Sequence, residues 1–204
     1  MTIMFDLFPS VLAFALAATI TPGPNNVMVM ASGMNYGYWR TVPHMLGISI
    51  GFPLMLVAVG TGLGAVLQSH PEIQHTLTYI GAAYLLWLAW KIAIAAAPVT
   101  GTTVGCPLGF FQAAAFQWVN PKAWLMSLGA VATFTSADRD FVLDLVTIAI
   151  AFTAVVYPCV SIWTLFGGAI GRLLRGPRFR TIFNVSIALL LVVSLLWPLV
   201  FSKL

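Results

Sequence analysis

Two short polar motifs interrupt apolar stretches of the chain, and their residue types suit the recognition of a zwitterion. The first is Thr21-Pro22-Gly23-Pro24-Asn25-Asn26, and the second is Asn120-Pro121-Lys122. A proline removes a backbone donor and obstructs the preceding turn, which frees carbonyls. Freed carbonyls can accept hydrogen bonds from an ammonium, and the amides of a restarting helix favour a carboxylate. We therefore predict that the first motif contacts both charged ends of an amino acid, with a simple proline kink as the alternative.

Lys122 supplies the only charge deep within an apolar segment of the sequence. An ionisable side chain at membrane depth is a functional candidate because it is costly to place there. We predict that Lys122 binds a substrate carboxylate or senses protonation, with snorkelling to an interface as the alternative. None of the five acidic residues is predicted to lie at its depth. Asn120 can either cap the helix that restarts at Pro121 or contact the substrate.

The chain is too apolar for a soluble protein. Of its 204 residues, 60% are hydrophobic and 7% are charged, whereas a soluble domain carries about 25% charged residues. Five long stretches have no charge: 7–39, 41–71, 92–121, 145–171 and 181–202. Apolar stretches of about 18 residues or more are typical of transmembrane helices. We therefore predict an all-α integral membrane protein with a single domain over residues 1–204.

The remaining polar residues disfavour other classes of protein. The net charge of +4 comes mostly from four arginines, Arg172, Arg175, Arg178 and Arg180. We interpret them as a topogenic loop that faces lipid headgroups rather than nucleic acid. The two cysteines are far apart without a CxxC spacing, and His44, His70 and His75 lie at predicted helix ends or loops. No metal site, no cofactor and no enzymatic activity is therefore expected.

The pattern of apolar stretches predicts six transmembrane helices. Their approximate ranges are 5–34, 41–68, 75–97, 108–134, 141–168 and 181–201. Helices 1 and 4 would be broken near the middle of the membrane, which is tolerated only where protein or a water-filled cavity satisfies the backbone. In a five-helix alternative, the first helix ends at Thr21 and residues 22–38 form a loop. Residues 27–31 are too apolar for a loop, which favours six helices.

The two halves of the chain are related in pattern. Pro121 follows Pro22 by 99 residues, and helices 2 and 5 and helices 3 and 6 correspond at similar offsets. Since three helices is an odd number, the second copy must be upside down. This arrangement predicts two inverted three-helix repeats, over about 1–100 and 101–204, of the kind found in transporters.

Basic residues set the predicted orientation. The loops after helices 1, 3 and 5 hold six Lys or Arg residues, whereas the other loops and the termini hold two. Loops rich in Lys and Arg stay in the cytoplasm. Both termini are therefore predicted to lie outside.

The sequence resembles the LysE/RhtB family of bacterial amino-acid exporters over nearly its whole length. The resemblance rests on the first motif, on residues 80–85 and 87–91 of helix 3, and on Gly109-Phe110 followed by Asn120-Pro121-Lys122-Ala123. Helix 3 is similar to the branch that exports cysteine and O-acetylserine. The resemblance implies export across the inner membrane, with proton coupling expected. Phe52 is a departure, since many family members carry an acidic residue there, and it leaves the proton carrier unknown.

Glycines are predicted to serve in packing or at helix ends. The pairs Gly33/Gly37 and Gly47/Gly51 have the small-xxx-small spacing that lets helices approach closely. Three further glycines, Gly167, Gly168 and Gly171, are predicted to end helix 5.

Tyr157-Pro158 is predicted to break helix 5 opposite the glycines of helix 2. Tyr157, Ser161 and Trp163 could then face a transport path. Aromatic residues in membrane helices more often pack or form interfacial belts, so a packing or belt role is the alternative to the functional interpretation.

Together these features predict a secondary transporter that exports a small neutral amino acid, cysteine- or O-acetylserine-like, by alternating access. The substrate would contact residues 21–26, residues 120–122 and Tyr157. The expected partners are this substrate and the lipid bilayer, with a homo-oligomer left open. A small-solute pore lined by the broken helices is the alternative, and saturable counterflow would distinguish the two.

Overall fold

The computed structural model describes residues 2–94, 106–136, 138–173 and 177–201. Within those residues the fold is all-helical, which confirms the predicted class. The α-helices there are α1 (Thr2–Ile20), α2 (Pro24–Tyr36), α3 (Tyr38–Ala58), α4 (Gly64–Ser69), α5 (Pro71–Ala93), α6 (Phe110–Phe116), α7 (Pro121–Phe134), α8 (Phe141–Leu173) and α9 (Pro177–Phe201). A π-helix (Val59–Leu63) precedes α4, and a 3₁₀ turn (Gln117–Val119) precedes α7.

The first predicted helix consists of two helices with a sharp bend between them. α1 and α2 meet at 57° across the non-helical residues 21–23. Pro24 starts α2, where the backbone N–H that proline lacks would have no partner within the helix. Gly23, which precedes it, is fully extended. Because α2 occupies most of residues 22–38, the alternative that these residues form a loop is wrong.

Gly37 joins α2 directly to α3. Its φ of 80° lies in the left-handed region, which glycine adopts at little steric cost. A Cβ built at Gly37 would meet no atom within 4 Å. The prediction that Gly37 lets two helices approach closely is therefore wrong, because this residue makes a turn.

The second break interrupts the fourth predicted helix. α6 tightens into the 3₁₀ turn, and Asn120 then leaves the helical region with φ −85° and ψ 109°. A residue before a proline is pushed out of the α region by contact with the proline ring. Pro121 starts α7 as Pro24 starts α2.

α8 is a single uninterrupted helix from Phe141 to Leu173. Pro158 lies inside it, so the prediction that Tyr157-Pro158 breaks this helix is wrong. Membrane helices tolerate an internal proline where neighbouring groups satisfy the freed backbone. α8 also continues past Gly167, Gly168 and Gly171, so the prediction that these glycines end it is wrong.

Glycines of α2 and α8 allow the two helices to approach each other closely. A Cβ at Gly33 would collide with the carbonyl of Thr164, and a Cβ at Gly167 would collide with the carbonyl of Met30. Small residues in membrane helices allow backbones to come into contact in this way. It explains why Gly167 is helical rather than a helix end.

α8 lies at the centre of the packing. α1, α2 and α3 all pack against it, α6 packs against α3, and α5 packs against α9. Gly47 and Gly51 of α3 meet the backbone of Phe110 and Ala114 in α6. The packing role predicted for this glycine pair is confirmed.

Several helices have the length and composition of membrane spans. In the described part of the chain, Tyr38–Val66 and Phe141–Leu173 are long and apolar enough, and the bent pair Leu7–Ile20 and Pro24–Tyr36 would make a third span. Large apolar side chains such as Leu54, Leu125 and Leu189 are exposed on the outside, as expected for a surface in contact with lipid.

Candidate functional site

The two breaks lie together and line one cleft. Its empty volume, including the open space at the mouth, is about 380 Å³. The lining residues at the two breaks and the end of α1 are Thr19, Gly23, Asn25, Asn26, Asn120 and Lys122. The apolar lining residues are Ile48, Phe52, Ala123, Met126, Val156 and Val160. Five polar side chains at the breaks and the end of α1 thus face an apolar wall from α3, α7 and α8.

The Lys122 ammonium connects the second break to the first. Its Nζ donates to the carbonyl oxygen of Thr21 at 2.7 Å and to Thr21 Oγ1 at 2.9 Å. A longer contact of 3.4 Å reaches the carbonyl of Pro22. An ammonium has three donors and no acceptor, so these three oxygens match its capacity. Lys122 is therefore partnered by neutral backbone and hydroxyl oxygens rather than by a carboxylate.

The carbonyls freed at the end of α1 are all taken by side chains. Asn26 Nδ2 donates to the carbonyls of Thr19 and Thr21, at 2.7 and 2.8 Å. The Trp163 indole donates to Ile20, and Thr21 Oγ1 donates to Ala18. A helix leaves its last carbonyls without intrahelical partners, and here side chains donate to those of residues 18–21. That these carbonyls accept from a substrate ammonium stays a prediction, and in this conformation each of them already has a protein donor.

Asn25 and Gln117 form a second link between the breaks. Asn25 Nδ2 donates to Gln117 Oε1 at 2.8 Å, and Gln117 Nε2 donates to Asn25 Oδ1 at 3.2 Å. Gln117 is fully buried and also donates to the carbonyl of Ala113. Nothing in the sequence pattern singled out Gln117, because a lone glutamine before a break has no spacing signature.

Asn120 caps the helix that follows the second break. Its Oδ1 accepts from the backbone N–H of Lys122 at 3.1 Å, which is the usual contact of an N-cap residue. Asn120 is buried and also lines the cleft. The predicted capping role is therefore present in the structure, and the position is compatible with the predicted substrate contact.

Comparison with known proteins places the chain in a family. The model of the LysE type translocator family matches residues 16–196. The chain belongs to the LysE type translocator family. The cysteine/O-acetylserine efflux protein of Escherichia coli (strain K12) is 31% identical over 180 residues, 88% of this chain and 90% of that protein. The protein of the same name from Klebsiella pneumoniae subsp. pneumoniae is 30% identical over 167 residues, 82% and 85% of the two chains. No solved structure matches the chain.

The comparisons confirm the resemblance drawn from the two motifs and from helix 3. Both relatives carry the name of the branch that helix 3 resembles. The chain is accordingly a membrane protein of a translocator family.

Phe52, the departure noted in the sequence, belongs to the apolar wall of the cleft. It is buried, lines the cleft, and packs against Phe152 with ring centroids 5.1 Å apart. Aromatic pairs at this distance are favourable. The position where the resemblance implied an acid therefore holds a packed aromatic ring.

Thr19 is a cleft residue to whose side chain the sequence analysis assigned no role. Its side chain is buried, and its Oγ1 has no hydrogen-bond partner in the described part of the chain. A buried hydroxyl without a partner loses its hydration without compensation. Its position two residues before the first motif could have suggested it, since the last turn of α1 adjoins the break.

Tyr157 lies outside the residues that line the cleft. Its hydroxyl is 3.3 Å from the hydroxyl of Tyr38, which also lies 3.2 Å from Ser161 Oγ. These contacts join α3 to α8. The structure therefore brings together the predicted site residues of the two motifs but leaves Tyr157 apart from them.

The prediction that the histidines lie at helix ends or loops is wrong for His44. α3 begins at Tyr38, so His44 lies within the helix, where it is 2% exposed. His70 precedes α5 and is exposed, as predicted. The side chain of His75 lies outside the described residues.

Proposed function

We propose that this chain exports a small neutral amino acid or derivative, with cysteine or O-acetylserine as the leading candidates, across the bacterial inner membrane. The family match and the names of the relatives support amino-acid export. The observation that carries the proposal is the Lys122 ammonium held on the carbonyl of Thr21 at the cleft. It places a cation and an ammonium acceptor, the two groups that a zwitterion requires, in one small space.

The binding step in this proposal is an exchange of ammonium groups. In the structure Lys122 occupies the acceptors at Thr21 that the sequence assigned to the substrate ammonium. A substrate ammonium would take over the Thr21 carbonyl, and the released Lys122 ammonium would pair with the substrate carboxylate. The substrate ammonium restores a charge-assisted contact at Thr21, and the new pair between Lys122 and the substrate carboxylate joins two ionised groups. The empty and loaded states would then differ in the position of one flexible side chain.

The lining of the cleft favours a small neutral side chain. Ile48, Phe52, Met126, Val156 and Val160 provide an apolar wall. The cleft lining contains no carboxylate within the described residues, so a basic substrate side chain would have no ionic partner. A second positive charge beside Lys122 would cost electrostatic repulsion.

The packing of the helices supports two inverted repeats that alternate in access. In such a repeat, α3 corresponds to α8, α5 to α9, and α1 to α6. Part of the observed packing fits this correspondence, since α1 packs on α8 as α6 packs on α3, and α3–α8 and α5–α9 are each their own counterpart. The contact of α2 with α8 departs from it, because it is far more extensive than its counterpart between α7 and α3. Inverted repeats of this kind place the substrate site at the repeat interface. We propose that proton influx drives export, with both termini outside the cell.

Overexpression in a bacterium followed by measurement of extracellular amino acids tests the proposal. We expect cells that carry the chain to release more cysteine or O-acetylserine than cells that carry the empty vector. Purified protein in liposomes should show saturable counterflow of labelled cysteine, kept reduced. Unchanged extracellular amino acids would contradict the proposal, and unsaturable flux in the liposomes would favour a pore.

A further inference from the structure

His44 is a buried titratable side chain that the cleft does not use. In the described part of the chain, the buried side-chain atoms without a hydrogen-bond partner belong to Thr19, His44 and Ser127. Thr19 and Ser127 each leave one hydroxyl unpaired, whereas His44 leaves both Nδ1 and Nε2 unpaired. A neutral imidazole has one donor and one acceptor, so neither capacity is used. Among these three residues, His44 is the one whose side chain can bind a proton and become charged.

His44 lies on the face of α3 that leads to the cleft. Ile48 and Phe52, which line the cleft, follow His44 by four and eight residues. Residues four apart on a helix are neighbours on one face. Gly47 and Gly51, which meet α6, lie on the other flank of this face. His44 is therefore one turn from the cleft, between it and α6.

The charged and titratable groups around α3 leave His44 without a fixed partner. Those on the elements packed against α3, and on α3 itself, are Tyr36 of α2, Tyr38 and Arg40 of α3, Lys122 of α7, and Asp144, Tyr157, Cys159 and Arg172 of α8. The described residues of α6 carry none. Asp144 is paired with Arg139, and Lys122 is held at Thr21. No hydrogen bond joins any group of the described chain to either ring nitrogen of His44.

The cleft itself supplies no carboxylate that could carry a proton. Phe52 of α3 contributes an apolar ring to the lining, and the residues lining the cleft include no carboxylate in the described part of the chain. A transporter driven by protons needs a group that gains a proton on one side and releases it on the other. Such a group cannot be permanently engaged in a hydrogen bond or an ion pair.

We propose that His44 is the proton carrier of this exporter, an inference that rests on the proposed function. In the outward-open state, the ring nitrogen that lacks a hydrogen binds one proton from the external solution. In the inward-open state, the same N–H bond breaks and the proton enters the cytoplasm. One amino acid leaves for one proton that enters, and no other bond is made or broken. In the structure the ring is 2% exposed, so proton exchange with either solution requires the ring to become accessible as the helices move.

Two assays in liposomes separate proton coupling from substrate movement. Counterflow of labelled cysteine at equal pH on both sides measures the movement of substrate alone. Uptake of labelled cysteine against its gradient, driven by a pH difference, measures coupling. For His44→Gln we expect counterflow close to that of the wild-type chain and a fall of pH-driven uptake to the level of protein-free liposomes, because no group would then carry the proton.

His44→Leu and His70→Gln complete the design. Leu removes two unpaired buried polar atoms, and replacing such atoms with apolar ones is neutral or stabilising. His44→Leu should therefore unfold at the wild-type temperature or higher and yet lose coupling. If His44 had only a structural role, a stable His44→Leu variant would keep coupling. His70 is exposed before α5, so His70→Gln should keep both activities.

Each outcome supports or overturns the assignment. Counterflow retained with pH-driven uptake lost, in either folded His44 variant, supports it. Wild-type coupling in either folded variant overturns it. Loss of both activities in a folded variant also overturns it, because His44 would then serve substrate movement itself. If the wild-type chain shows no counterflow at all, the proposed export function fails and this inference fails with it.

Discussion

The two helix breaks have similar sequences but opposite roles in the structure. The break between α1 and α2 leaves three residues outside the helices and bends the chain by 57°. The break between α6 and α7 is a 3₁₀ turn followed by one extended residue, Asn120, which caps α7 with its own side chain. The first break exposes acceptors at Thr21 and Pro22, and the second supplies the Lys122 ammonium that donates to them. The two breaks therefore form a complementary pair rather than two copies of one site.

This complementarity has a physical cause in the residue that follows each proline. At the first break Pro22 is followed by Gly23, and at the second Pro121 is followed by Lys122. Glycine leaves room beside its backbone, and the Lys122 side chain occupies it, with its Cδ 2.6 Å from where a Gly23 Cβ would stand. The space left by the absent side chain of Gly23 thus accommodates the long side chain of Lys122.

Removal of the Lys122 ammonium should have the largest effect. We expect Lys122→Met to reduce cysteine export to the level of the empty vector, because both the link between the breaks and the partner of the substrate carboxylate are lost. The unfolding free energy should fall by about 1.5–3 kcal/mol, the usual contribution of a hydrogen bond to a charged group. The Thr21 carbonyl keeps Asn26 as a donor, so the protein should still reach the membrane.

Lys91→Met is the matched control. Lys91 is exposed near the end of α5, with its Nζ 5.5 Å from the centre of the Trp87 ring. Export assays should be run beside immunoblots of the membrane fraction. Wild-type export by Lys122→Met at equal abundance would remove Lys122 from the site.

The Gly23→Ala substitution tests the same contact, between Lys122 and the first break, by changing the first break. Gly23 is extended, with φ −175°, so alanine adds no backbone strain. Its Cβ would displace the flexible end of Lys122 and leave the helix break intact. A misplacement of about 1 Å at a functional site can cost roughly 100-fold, and we expect export to fall by about tenfold to 100-fold with little change in thermal unfolding.

Gly129→Ala is the control for the Gly23 substitution. A Cβ at Gly129 in α7 would lie 3.9 Å from Phe14, which is ordinary contact. Alanine in a helix interior is favoured over glycine by about 1 kcal/mol, so this variant should export normally and unfold no more easily. If Gly23→Ala exports like Gly129→Ala, the position of the ammonium is not critical.

The local features of the breaks could be predicted because proline acts on its immediate neighbours. The start of α7 at Pro121, the bend before Pro24 and the capping by Asn120 all follow from local rules. The contact between the breaks was suggested by the offset between the two prolines. Local chemistry and the spacing of the two prolines therefore predicted that the two breaks lie together, as they do at the cleft.

The partners of the freed carbonyls could not be predicted because they come from distant parts of the chain. Trp163 reaches Ile20 across 143 residues, and Lys122 reaches Thr21 across 101. The continuity of α8 through Pro158 depends in the same way on neighbouring helices. His44 was misplaced because α3 begins at Tyr38, earlier than the charge at Arg40 suggested. Each of these features depends on tertiary contacts that a pattern in one segment does not contain.

The smallest effect is expected at Asn120, where capping and substrate contact can be separated. Asn120→Ala should lower the unfolding free energy by about 1 kcal/mol through loss of the cap, and Asn120→Ser should restore stability because a serine hydroxyl can accept from the Lys122 N–H. Asp140→Ala removes a similar cap, on Val142 and Leu143 of α8, away from the cleft. We expect Asn120→Ser to remain several-fold slower in export than Asp140→Ala, since serine lacks the amide that faces the cleft. If serine restores export as well as stability, the second break serves only as a capped support for Lys122, and the first break alone recognises the substrate backbone.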